Sequence, residues 1–299
     1  QTVEQIRTSS RHNPSNIIEN VSNIISKLET LGKDLDAVTF TDQKFSISQA
    51  NKIKNSDLNL PLYGVPMAHK ELYCRYIDEC QSWPNEGGSK SFEGRKSTQT
   101  STVISLLDNA GSVDCGRLVS VEYAFGVTGH NSYSGTPKNP WNQDYVCGGS
   151  SSGSGSIVAA GIVPAALGSD TGGSIRLPAS ACGLVGVKPT QGLISRAGVF
   201  PLSTTLDSVG PLARSTIDAA EILQVISGYD PKDKLSFRSP KYDYLSEIEN
   251  DISKIKLGLP KNYFLTGSDD DVSDKTVSCF SLAEKLGVKC IDINVPDIE

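Results

Sequence analysis

Three side chains carry the case for chemistry. Ser150 and Ser174 lie in residues 147–190, CGGSSSGSGSIVAAGIVPAALGSDTGGSIRLPASACGLVGVKPT, and Lys70 lies far upstream, just after the apolar run LYGVPMA. A flexible Gly/Ser linker would not alternate with apolar segments such as 157–167, which need burial. The stretch is therefore a folded region that brings backbone and hydroxyls close to something. Two serines with a lysine suit acyl transfer, which needs a nucleophile, a base and donors for a developing oxyanion. A lysine acts as base near neutral pH only when burial lowers its pKa. The apolar run before Lys70 can supply that burial; otherwise it is an ordinary strand-end lysine, with Glu71 beside it in an ordinary surface pair. In Asp170-Thr171-Gly172-Gly173-Ser174 the two glycines let backbone N–H groups turn toward one point, where an oxyanion can sit while Ser174 attacks. The plainer reading is a Gly-Gly turn capped by Ser and Asp. Arg176 is expected to pair with Asp170 and fix the loop, the alternative being contact with an acidic substrate. Ser150 can relay a proton between Ser174 and Lys70, or merely solvate its loop.

Other chemistries fit less well. Gly149-Ser150-Ser151-Ser152-Gly153 matches the nucleophile-elbow pattern G-x-S-x-G, which would name Ser151. That elbow needs a later histidine, and His12, His69 and His130 all precede it. A histidine-first order is possible, but nothing around His69 or His130 marks a base. No lysine follows Gly153, so a phosphate loop is absent. The seven cysteines include no C-x-x-C, which points to buried free thiols in a reducing compartment rather than to zinc or a redox pair. No metal or cofactor is implied. A net charge of −6 and pI near 5.2 disfavour a nucleic-acid-coating surface. The longest apolar run, 157–167, is too short to cross a bilayer, and no secretory signal is visible at the N-terminus, so a cytoplasmic protein is expected.

The elements that must position these residues follow from periodicity. Residues 15–31 form an amphipathic helix, capped by Ser15 or Asn16 with Glu19 near the third position and stopped by Gly32. Residues 37–40 suit a short strand, 48–54 a polar surface helix, and 62–68 a buried strand running into His69, Lys70 and Glu71. Residues 80–96 read as a surface loop, 98–110 as a helix, 112–117 as a strand, and the turn-rich 126–141 as loop. The apolar run after Ser150 is expected to be a buried helix that holds Ser150 and Ser174 in register. Ser215 and Asp218 open a helix that ends at Gly228. A strand at 255–259, a helix at 274–286 and a strand at 288–295 complete an α/β pattern.

The blocks GGSSSGSGSIVAAG and ALGSDTGGSIRLPASACGLVGVKPTQGLISRAG closely resemble the amidase signature enzymes, and GVPMAHKELY resembles the segment carrying their lysine. TPKNPW, LDSVGPLARS and LGLPKNYF are further landmarks, in the same order from about residue 16 to the end. The resemblance implies a Ser–cis-Ser–Lys set, with Ser174 as nucleophile, Ser150 as the cis-serine and Lys70 as base. It places the oxyanion donors on the backbone N–H groups of Thr171, Gly172, Gly173 and Ser174, with Asp170 and Arg176 in support or on the substrate. It implies one large α/β domain over 1–299, a central mixed β-sheet covered by helices. Its N-terminal helical segment would span about 1–58 and its catalytic core about 59–230. The ending VKCIDINVPDIE reads as mid-domain, so the rest of the domain is expected to lie beyond 299. Two positions depart from the family pattern: Glu71 stands where Asp is usual after the lysine, and His69 where an apolar residue is usual before it. The implied activity is an amidohydrolase acting on a small amide or carbamoyl-type substrate. The alternative is the glutaminase subunit of a tRNA-dependent amidotransferase, which needs partner subunits and tRNA; VTGHNSYSG resembles the free-standing enzymes more. A catalytically dead scaffold is the third reading. A small-molecule amide and a possible homodimer are the partners expected, with no membrane, and no nucleic acid outside the amidotransferase case.

Overall fold

The computed structural model describes residues 1–240, 242–260, 262 and 264–296. Lys261 and Tyr263 of the LGLPKNYF landmark, and the last three residues of VKCIDINVPDIE, lie outside them. In chain order the elements are α1 (Val3–His12), α2 (Asn16–Glu29), α3 (Leu31–Asp34), β1 (Val38–Thr41), α4 (Gln43–Lys54), β2 (Val65–Lys70), α5 (Thr102–Asn109) and β3 (Ser112–Leu118). Then follow α6 (Ser152–Ala159), β4 (Ala165–Asp170), α7 (Arg176–Cys182), β5 (Val185–Gly186), β6 (Ser208–Ala213), α8 (Thr216–Ile226), β7 (Lys256–Pro260), α9 (Asp270–Lys285) and β8 (Lys289–Ile293). The chain divides into two compact units, Gln1–Leu245 and Ser246–Glu299.

The first unit is a mixed α/β structure. Three strands run in the order β1–β3–β2, with β2 parallel to β3 and β1 antiparallel; three more run β4–β6–β5, all antiparallel. β2 and β4 lie side by side without a backbone ladder. Side chains bridge them instead: the Leu167 N–H donates to His69 Nδ1 at 3.2 Å and the Tyr73 hydroxyl donates to Gly168 O at 2.6 Å. Every residue of β2, β3, β4 and β6 is buried. Strand alternation splits their side chains between two cores. Met67 and Leu167 join Val3, Ile6, Leu107, Ile222 and Ile226 of α1, α5 and α8. Ala68 and Ala166 join Ile17, Val21, Leu28, Ile53, Ile157 and Val158 of α2, α4 and α6. Each fully buried Ile, Leu or Val contributes about 1.5–3 kcal/mol, so helices close both faces.

Several expectations need correction. The segment 157–167 is not one helix. α6 ends at Ala159, residues 160–164 turn through Gly161 at φ +70°, and a strand begins at Ala165. α6 itself is built from SGSGS because neighbouring backbone passes close: a Cβ on Gly153 would stand 2.6 Å from Ala37 O and from Val119 N. The 80–96 loop is a surface feature only in part: residues 80, 81 and 90–96 are exposed, but its middle is buried. Trp83 is fully buried, edge-on to Phe40 and Phe45, with the guanidinium groups of Arg75 and Arg117 over its ring. The polar helix expected at 48–54 starts earlier and buries Ser46, Ala50 and Ile53. Ser15 makes no side-chain cap on α2, because its backbone is already helical, at φ −67° and ψ −25°, rather than in the extended region a cap uses. α1, which lies within the expected N-terminal helical segment but is not among the helices read from periodicity, carries a capping box, Thr2 with Gln5. Of the cysteines, all free, Cys80 and Cys279 are exposed and Cys290 is half-buried, so burial holds only for Cys74, Cys115, Cys147 and Cys182. No helix among the described residues is long and apolar enough to cross a membrane.

The second unit is a β–α–β segment in which β7 and β8 pair in parallel and α9 connects them.

Candidate active site

Lys70 is the last residue of β2, and none of its surface reaches solvent. Its Nζ donates to Ser150 Oγ at 2.7 Å and to Ser169 Oγ at 2.9 Å. Burial lowers its pKa to about 7, against an upward pull from Glu71, Asp207 and Asp170. The strand-end lysine is therefore a desolvated amine between two hydroxyls. Ser169 is not legible in the sequence because its segment reads as the continuation of a helix. Recognised as a strand, period-two alternation would have set Ser169 on one face with Leu167.

Ser150 precedes α6, and the peptide bond Gly149–Ser150 is cis. Gly149 is required there: a Cβ would stand 2.9 Å from Gly126 O, Gly129 N and Val121 Cγ2. The other serines of the block have structural partners. Ser151 Oγ donates to Ser169 O and accepts from Ser169 N, both at 3.2 Å, which leaves the elbow candidate fully engaged and buried. Ser154 donates to Leu167 O and Ser156 to Lys138 O.

Ser174 follows β4 in a tight loop and is 8% exposed. The Ser151 N–H donates to its carbonyl at 3.2 Å, tying the two serine blocks together. Its hydroxyl forms no hydrogen bond among the described residues, so the structure joins Lys70 to Ser150 but leaves Ser174 Oγ free to rotate. Asp170 organises the loop from beneath. It accepts from Gly173 N at 2.8 Å, Ile175 N at 3.1 Å and Arg176 N at 3.3 Å. Arg176 Nε and one terminal guanidinium nitrogen add bonds of 3.0 and 2.9 Å. Burial alone would raise the Asp170 pKa, but these donors outweigh it and hold the carboxyl below its ordinary value. Arg176 pairs with Asp170, as expected.

One of the four expected oxyanion donors is corrected. The Gly173 N–H is spent on Asp170, whereas those of Thr171, Gly172 and Ser174 form no hydrogen bond among the described residues. Three N–H groups without a partner among the described residues, beside a hydroxyl that also has none, are the donor set that a cradle for an anionic oxygen would need. The Thr171 side chain is held away by its hydroxyl bond to Asp207 Oδ1 at 2.5 Å.

Glu71 is not in a surface pair with Lys70. It is 7% exposed and bonded to Ser120. His69 is not a base: it is buried, its pKa is lowered to about 3 chiefly by desolvation, and Nδ1 is occupied by Leu167 N–H. A cavity of about 450 Å³ is lined by Ser169, Val199, Phe200, Asp207, Ser208 and Leu235; it borders the site through Ser169, and Lys70, Ser150 and Ser174 do not line it.

Residues 19–299 match the family model described as Amidase. The chain is 37% identical over 282 residues to a glutamyl-tRNA(Gln) amidotransferase subunit from Nitrosomonas europaea, covering 93% of this chain and 57% of that protein. Among solved structures, a glutamyl-tRNA(Gln) amidotransferase subunit from Thermotoga maritima superposes with a TM-score of 0.85 at 31% identity, over 99% of this chain and 62% of that one. A peptide amidase of Stenotrophomonas maltophilia superposes with a TM-score of 0.86 at 26% identity, again over 99% and 62%. In each case the chain spans less than two thirds of the relative's length.

Proposed function

The chain belongs to the amidase family, and on that premise we propose that it hydrolyses the C–N bond of a small amide through a serine acyl-enzyme. The observation that carries the reading is the Lys70–Ser150 contact, a buried amine with its pKa lowered to about 7 set 2.7 Å from a hydroxyl. In the neutral form Lys70 has a lone pair to accept the Ser150 proton while Ser150 accepts that of Ser174. Ser174 Oγ then bonds to the amide carbon, and the carbonyl π pair moves to oxygen. The N–H groups of Thr171, Gly172 and Ser174 stabilise that oxyanion; each well-aimed donor is worth on the order of 100- to 1000-fold in rate. Collapse breaks the C–N bond, and the departing nitrogen takes the proton back from Lys70 through Ser150. Water repeats the addition on the acyl ester and releases the acid, restoring the Ser174 hydroxyl and the neutral amine.

A second reading shares this chemistry: the glutaminase subunit of a tRNA-dependent amidotransferase. The observation favouring it is the likeness to curated relatives of that name; the active-site geometry serves either. The test is an ammonia-release screen over primary amides, ureas and glutamine, followed by mass spectrometry after a fluorophosphonate. Label on Ser174 with turnover of simple amides supports the first reading. Glutamine turnover only with added partner subunits and tRNA supports the second. Label confined to Ser151 would end both.

A further inference from the structure

Glu71 follows Lys70 in the chain, yet no ion pair joins them among the described residues. Its Oε1 instead accepts the N–H of Ser120 at 2.8 Å and the Ser120 hydroxyl at 2.9 Å. The next residue, Val121, donates its N–H to the carbonyl of Ser150 at 3.1 Å. A buried carboxylate beside Lys70 thus holds, through two residues of chain, the backbone of the serine whose hydroxyl touches Lys70.

The rest of the segment is clamped as well. Asn131 Nδ2 donates to Ser120 O and to Gly88 O, both at 2.8 Å. Gly88 sits at φ +67°, and a Cβ there would stand 3.0 Å from Glu71 Oε1. Beyond Val121, Tyr123 and Ala124 take φ of 53° and 61°, a region that strains residues other than glycine. The Tyr123 N–H bonds Gly87 O at 2.8 Å and its hydroxyl accepts from Ser89, which holds the strained turn in place.

We infer that Glu71 is a positioning residue for the proposed reaction: through Ser120 and Val121 it sets Ser150 against Lys70, and its charge sets the pH range in which Lys70 is a base. The inference rests on the hydrolase reading above. Electrostatics supports it. Burial raises the Glu71 pKa to about 7, against the opposing bonds from Ser120 and the charge of Lys70. Glu71 in turn is the strongest charged neighbour raising Lys70, ahead of Asp207 and Asp170. The other titratable groups facing Glu71 are Glu86, Arg117 and Tyr133, which border the same cavity of about 430 Å³, with the Ser134 hydroxyl beside them. A negative charge at 71 favours protonated Lys70, so removing it makes the neutral base available at lower pH.

Fluorophosphonate labelling of Ser174 in the full chain, measured against pH, tests this without an amide substrate. Glu71→Gln keeps an Oε1 acceptor for Ser120 but loses the charge; its labelling midpoint is expected to fall by roughly 1 pH unit. Glu71→Ala loses the clamp as well, and its high-pH labelling rate is expected to drop about tenfold or more. Should that variant fail to fold by circular dichroism, Ser120→Ala, which removes only one donor, is expected to lower the same rate. A Gln variant whose midpoint matches wild type overturns the inference, as do Ala variants at 71 and 120 that label at the wild-type rate. Wild-type protein that reacts at no pH overturns the hydrolase reading and this inference with it.

Discussion

Asp170→Asn changes one oxygen to an NH₂ group in a loop where both carboxylate oxygens are already claimed. Oδ1 holds Gly173 N and an Arg176 terminal nitrogen; Oδ2 holds Ile175 N, Arg176 N and Arg176 Nε. Whichever way the amide turns, its NH₂ faces at least one backbone donor and the guanidinium. Each buried N–H left unpaired costs about 1–3 kcal/mol. The lost Arg176 pairing adds little, since that side chain is 54% exposed and screened by water. A total of about 2–4 kcal/mol lowers Tm by on the order of 5–15 °C at the usual sensitivity of a unit this size. The chemistry should suffer more than stability. A Gly173 N–H released from Asp170 lets the cradle turn, and a misplaced oxyanion donor costs roughly 100-fold or more in rate. Thermal denaturation by circular dichroism, paired with the fluorophosphonate labelling rate of Ser174, reads both effects. The gap between variant and wild type should also narrow in acid. The folded-state pKa of Asp170 is depressed, so its stabilisation is complete above the unfolded value near ~3.9 and is lost as pH falls through the folded one. A variant melting within about 2 °C of wild type and labelling within about twofold would refute the role given to Asp170.

Lys70→Met should abolish Ser174 labelling without lowering Tm at pH 7. The folded pKa of Lys70 lies below its unfolded value, so the buried lysine costs stability at neutral pH and regains it only as pH rises toward about 10; labelling at the wild-type rate would remove Lys70 from the mechanism. In the wild-type protein the labelling rate should rise with pH through a midpoint near 7. Ser150→Ala should label at an intermediate rate, because water can partly replace the relay; an unchanged rate would exclude the relay. Gly153→Ala should destabilise the protein by about 1–3 kcal/mol in urea denaturation, because its Cβ meets immovable backbone at 2.6 Å; a neutral result would contradict the close approach of α6 to residues 37 and 119. The His69 imidazole should show no titration by NMR between pH 5 and 8, and a titration there would contradict its burial.

Much of the candidate site was legible because its residues are local motifs. GGSSSG and DTGGSIR carry their chemistry within a few residues, and the apolar run before Lys70 correctly signalled burial. The Asp170–Arg176 pair followed from proximity in the chain. The helix at α8 was legible from its Ser215 cap, whose hydroxyl accepts from Asp218 N–H. By contrast, 157–167 misled because the exposed turn at Ala160 and Gly161 that parts the buried end of α6 from buried β4 carries no polar residue, so the apolar run has no break or periodicity to separate helix from strand.

What residue types alone determined is the chemical inventory: two hydroxyls, an amine after an apolar strand, and a glycine loop able to present backbone donors. Three matters were decided only by tertiary structure. Ser169 joins Lys70 because β4 passes beside β2. Gly173 is withdrawn from the cradle because Asp170 folds beneath it. Glu71 reaches Ser150 because Ser120 and Val121 come from a strand end 49 positions along the chain. Hydrogen-bond partners separated by such distances are chosen by packing, since the local sequence specifies only which groups are available and not which of them will meet.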